Sequence, residues 1–240
     1  MERAAVENLR RWNGNGPENG LTPPGFLVVM EDNRKRYGRL FGKSSDSVVD
    51  SAAYAIGIGT AQGAKKKGIF AGSRIVMDTD SGYFQRGSAG VLEISKHEMG
   101  HALVQPLLEN VGTGLLGRQH KLWLIEGFAD YMAFAERQPQ ASAKFRALRQ
   151  FVQSGRFNGK LPNNDKVYNS DPLATSAGYA LGHTAIDYIA SKFGEKKAFK
   201  LVALHYHKPN KLGAHIRQVT GLPKAEFERG WAAYVRRIAG

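Results

Sequence analysis

The apolar residues of this chain change their period once, near Gly90. Ahead of that point they come in short runs, Gly25-Phe26-Leu27-Val28-Val29-Met30 and Arg74-Ile75-Val76-Met77-Asp78, each bounded by Gly, Ser, Glu or Asp. Such runs read as strands. Between them residues 46–55 are helix-like, and Ile56-Gly57-Ile58-Gly59 suggests a short strand. From Gly90 to the end the spacing is helical, with breaks at Pro106, Gly112 to Gly117, Pro139, Gly155 to Pro172, Gly194, Pro209 and Gly221. This order predicts an α+β fold: a small N-terminal sheet with helices over residues 25–89, a mainly helical part over 90–240, and a cleft between. The polar, Gly/Asn-rich opening predicts a flexible segment over residues 1–24.

At 240 residues and 42% hydrophobic content the chain can bury a real core. It has no cysteine, so disulfides, thiol nucleophiles, iron–sulfur clusters and Cys-ligated zinc are excluded, and any bound metal must rely on His, Asp and Glu. No stretch reaches the roughly 18 uninterrupted apolar residues of a membrane span, and an exported form is expected to carry its signal or anchor outside these residues. The net charge of +13 favours encounters with acidic surfaces. The basic residues read as scattered, in solvated runs such as Arg34-Lys35-Arg36 and Lys65-Lys66-Lys67, and no specific nucleic-acid partner is expected.

The segment from Val91 to Val104 is helical in period and contains His97-Glu98-Met99-Gly100-His101. At about 3.6 residues per turn, the two histidines stack on one face a single turn apart, where both imidazoles can reach one tetrahedral ion. Glu98 is then placed to act on a water polarised by that ion. The spacing also arises by chance in histidine-bearing helices without metal. A second helix beginning Leu122-Trp123-Leu124-Ile125-Glu126-Gly127-Phe128 sets Glu126 amid apolar neighbours, where a carboxylate is costly to bury without a cation. Asp130, one turn on, either accepts the free N–H of a ligating histidine and fixes its tautomer, or serves packing and surface alone.

His97-Glu98-x-x-His101 together with Trp123-Leu124-x-Glu126-Gly127-x-Ala129-x-Tyr131 resembles the gluzincin metallopeptidases, in particular the peptidase MA-like domains. Metzincins fit worse, because Val104 and Leu107 stand where their glycine and third histidine fall. The resemblance implies one zinc ion per chain held by His97, His101 and Glu126, with Glu98 as general base and a peptide or protein substrate. It continues weakly through Ala177-Gly178-Tyr179 to Phe193-Gly194, and implies that Tyr179, opening a helix, is a transition-state donor. His183, one turn after Tyr179, is a further candidate for the same cleft. His205 and His207 form a His-x-His pair whose spacing suits a strand better than a helix end. Two other readings stay open: an inactive zinc-binding recognition module, and a basic polyanion binder carrying the motif by accident.

Overall fold

The computed structural model describes residues 1–15, 26–40, 52–60, 69–107, 120–134, 142–163, 167–168 and 171–240. The chain divides into two units, Met1–Gly14 with Asn19–Leu115 and Asn15–Glu18 with Leu116–Gly240.

In the first unit β3 (Ile69–Asp78) is the middle strand of a mixed sheet. It pairs parallel with β1 (Phe26–Glu31), in register Val28 to Ile75, and antiparallel with β2 (Ala53–Thr60), in register Tyr54 to Val76. Being flanked on both sides, β3 carries the continuous apolar run Ile75-Val76-Met77, fully buried. One face packs Ile75 and Met77 against Ala4, Met99 and Ala102, and the other packs Val76 against Tyr37 and Tyr54. The short α2 (Arg34–Leu40) supplies Tyr37, whose ring meets Tyr54 edge-on.

Three expectations change here. Residues 2–15 form helix α1, where a flexible opening is expected from composition. Ala4, Asn8 and Trp12, four apart, give it a buried stripe, and that burial outweighs the Gly/Asn content of its end. Ala53 to Ala55 belong to β2 and not to a helix, because pairing with β3 sets their backbone; residues 46–51 lie outside the described residues. After the one-turn α3 (Gly82–Gln85), α4 (Gly87–Val104) bears the His-Glu-x-x-His residues, and it belongs to the sheet unit, packing there through Met99 and Ala102.

The second unit is helical: α5 (Leu122–Phe134), α6 (Ala143–Gln153), α7 (Pro172–Phe193), α8 (Glu195–His207), α9 (Leu212–Thr220) and α10 (Lys224–Ala239). The long α7 is its axis and packs on α5, α6, α8 and α10. Asp171 caps α7 by accepting from Ala174 N at 3.0 Å, with Pro172 at the first helical position. Gly194 and Gly221 stop α7 and α9 at positive φ, as their positions in the sequence suggest. His205 and His207 fall in the last turns of α8, so the strand expected for them is not formed. The Gly112 to Gly117 and Pro139 breaks and Lys65 to Lys67 lie outside the described residues. Among the described residues no helix is long and apolar enough to cross a membrane.

Candidate metal centre

His97 and His101 lie one turn apart on α4, with their Nε2 atoms 3.2 Å from each other and their rings crossed at 84°. His97 is buried and His101 half-buried. Glu98, between them in sequence, is buried as well. Two sets of bonds hold this stretch of α4. Asn8 on α1 donates through Nδ2 to Lys96 O at 2.7 Å, and the Lys96 ammonium pairs with the Glu7 carboxylate. Hydrogen bonds from Arg3 and then Lys96 hold the Glu7 carboxyl below the usual carboxylate range. Just past the C-terminal end of α4, Gln105 donates to Ala55 O at 2.9 Å, and its Oε1 accepts from Ser73 Oγ at 2.9 Å. The histidine pair therefore sits between one tether to α1 and another to β2 and β3.

In the second unit, Glu126 is half-buried on α5 among Trp123, Leu124, Ile125, Gly127 and Phe128, all buried. Its charge reaches two phenols, the buried Tyr206 and the half-buried Tyr168. Tyr206 and Tyr168 both have raised pKa values, chiefly from burial, with Glu126 pushing the same way. α5 lies hard against α7: a Cβ on Gly127 would stand 2.3 Å from the Gly182 carbonyl carbon, and one on Gly182 would stand 2.3 Å from Trp123 O. Only glycine permits that approach.

The chain matches no family model, no curated protein and no solved structure.

The remaining candidates are all in the second unit. Asp130, buried on α5, accepts from Lys144 Nζ at 2.7 and 2.9 Å. The same ammonium stands 4.5 Å from the ring centroid of Tyr179. Tyr179 is half-buried and lies two turns inside α7 instead of opening it, because the helix already starts at the Asp171-Pro172 signal. Its ring meets Tyr168 edge-on, and Tyr168 donates its own hydroxyl to Gly178 O at 2.8 Å. His183 is enclosed by the rings of Tyr131, Phe134 and Phe145. Burial holds its pKa down, against the opposite pull of Asp130 and Asp187. It is a core imidazole, and not the cleft-lining one that helical phase suggests.

Three features went unread in the sequence. They are the α1 tether through Glu7 and Asn8, the Tyr168 hydroxyl, and the contact between His205 and the start of α5. Only the first left a local sign, in the four-residue spacing of Ala4, Asn8 and Trp12.

Proposed function

We propose that this chain is a zinc-dependent metallohydrolase of gluzincin type acting on peptide bonds. The three ligand atoms are one imidazole nitrogen each from His97 and His101 and one carboxylate oxygen from Glu126. The observation that carries the reading is the histidine pair. Zinc–nitrogen bonds of about 2.0–2.1 Å at tetrahedral angles put two ligand nitrogens roughly 3.3–3.4 Å apart. The Nε2 atoms here are 3.2 Å apart, so the pair already has the edge length of such a site. The apolar setting of Glu126 adds a carboxylate whose burial favours a cation.

When bound, zinc supplies Lewis acidity to a carbonyl oxygen and acidity to a water molecule. Glu98 takes the proton from the attacking water and passes it to the leaving amine. Tyr179 is the candidate donor to the oxyanion; Tyr168 is not, since its hydroxyl is already committed to Gly178 O.

One observation favours a second reading. Residues 196–225 hold seven Lys and Arg and no Asp or Glu, and all seven are exposed. Such a segment attracts polyanions through screened electrostatics, with no need of metal.

A single set of measurements separates the two. The purified protein is expected to hold one zinc per chain by elemental analysis and to cleave members of a mixed peptide library. Glu126→Ala should lower the zinc content, while Glu98→Gln should keep the zinc and abolish cleavage. Equal zinc in parent and Glu126→Ala removes Glu126 from the ligand set. Cleavage that ignores chelator ends the metallohydrolase reading, and binding to a polyanion that survives chelation but falls with salt supports the second one.

A further inference from the structure

α5 starts on a residue whose side chain cannot cap it. Lys121 precedes Leu122 as its N-cap, and Lys121 O accepts from Leu124 N and Ile125 N at 2.9 and 3.2 Å. A lysine side chain has no acceptor to offer the open amides of a first turn, and the third helical position is Leu124, which cannot return a bond to the cap amide as Glu or Gln does. That bond comes from far along the chain. Lys121 N donates to His205 Nε2 at 2.9 Å, across 84 positions. Beside it, the His120 ring reaches back to Tyr206 O at 3.4 Å and lies edge-on to His205. Two successive residues ahead of α5 are thus gripped by two successive residues of α8.

We infer that His205 is a positioning residue for Glu126. Its imidazole caps α5 from α8, and it thereby fixes where a carboxylate little more than one turn into the helix stands. The inference rests on the metal reading above and extends it to a residue outside the ligand set. The cap requires a neutral ring with Nε2 as acceptor, hence the proton on Nδ1. The surroundings enforce the neutral state. His205 is fully buried, and burial first, then His120, His215 and Lys121, lowers its pKa to about 3. A charged His205 has no acceptor, so the same desolvation that keeps it neutral preserves the cap. Outer contacts of this kind matter to metal sites because ligand placement within a few tenths of an ångström decides affinity.

The test uses two variants of the full chain. His205→Leu deletes the acceptor, and His205→Gln offers Oε1 near the position of Nε2 without titrating. Amide exchange is read across α5 in metal-free protein, and zinc affinity is read by chelator competition. In His205→Leu, exchange of the Lys121 amide and the first turn should rise about 10 to 100-fold, the range of a lost buried hydrogen bond. Zinc affinity should fall about 10 to 100-fold, while His205→Gln restores both toward the parent. Faster exchange with unchanged zinc affinity overturns the positioning role and leaves a plain helix cap. Unchanged exchange in both variants overturns the cap itself. If His205→Leu does not fold, His205→Met takes its place, filling the volume with only a weak sulfur acceptor, and exchange and zinc affinity equal to the parent's in that variant overturn the proposal. A parent that binds no zinc ends the metal reading and with it the role toward Glu126, while the exchange experiment still reports the cap.

Discussion

The two helices that bear the candidate ligands are held by opposite means. α4 is fastened by polar groups: Asn8 on its backbone at Lys96, Glu7 on the Lys96 ammonium, and Gln105 and Ser73 past its end. α5 is fastened chiefly by contact, its backbone laid against α7 at Gly127 and Gly182, with polar bonds to α8 at its start and to Lys144 and Glu195 further along. Polar tethers fix a helix in rotation and register, since each bond has one geometry. Backbone packing fixes it by exclusion, and leaves no room for adjustment. A histidine pair of the kind proposed to share one ion needs the first kind of restraint, and a lone carboxylate tolerates the second.

The largest effect is expected where exclusion is tightest. Gly182→Ala puts a methyl against Trp123 O, a backbone atom that cannot turn aside. It should destabilise the second unit by about 3 kcal/mol, at the upper end of overpacking costs. Thermal melting measures this, with amide exchange to locate the damage: α5 and α7 should lose protection and α4 should keep it. A melting temperature equal to the parent's breaks the comparison, because the glycine contact would then be incidental.

On the polar side, Glu7→Gln leaves the Lys96 ammonium buried, with only 7% of its side chain exposed, beside a neutral partner. The cost should be about 2 kcal/mol, below that of a fully buried pair because Glu7 is 17% exposed. The double change Glu7→Leu with Lys96→Met should recover most of it, since well-packed apolar pairs replace buried ion pairs at little cost. If the double variant is as unstable as the single, the pair serves more than packing, and its link to the residue next to His97 becomes the explanation.

What the sequence disclosed follows the same division. The meeting of His97 and His101 on one face of α4 was legible because a four-residue spacing closes one helical turn. The sheet and the switch to helices were legible from run length and period, and α7 and α9 end at glycines that mark their stops. Residues 2–15 were misjudged because Gly14 and Asn15 weigh on composition, while the stripe Ala4, Asn8, Trp12 is partly polar. His183 was misjudged because α7 is covered by α5, α6, α8 and α10, so sharing a face with Tyr179 does not distinguish core from surface. The cap on Lys121 left no local sign at all: its acceptor lies 84 positions away, on a helix whose packing partner no periodicity names.

The last effect separates the units by pH, and the part of it that His205 contributes is the smallest expected here. In metal-free protein, the second unit buries His183, His205 and His215 with lowered pKa values, each chiefly through burial. For His205 the folded value is about 3 against the 6.5 of an ordinary histidine. Below 6.5 the unfolded chain takes up a proton that the folded chain refuses, so stability is full above that pH and declines as pH falls toward 3. The decline can reach about 1.4 kcal/mol per pH unit for one fully linked histidine. The Glu7 carboxyl, also lowered, protonates only at more acidic pH and leaves the window from 6.5 to 5 to the histidines. Chelated protein is therefore expected to lose stability between pH 6.5 and 5, with exchange rising first in α5 and α8 and only later in α4. His205→Gln should flatten that slope without abolishing it, because His183 and His215 still titrate. A slope unchanged by the substitution means that His205 is protonated or solvated in the native state, and the neutral cap on α5 fails with it.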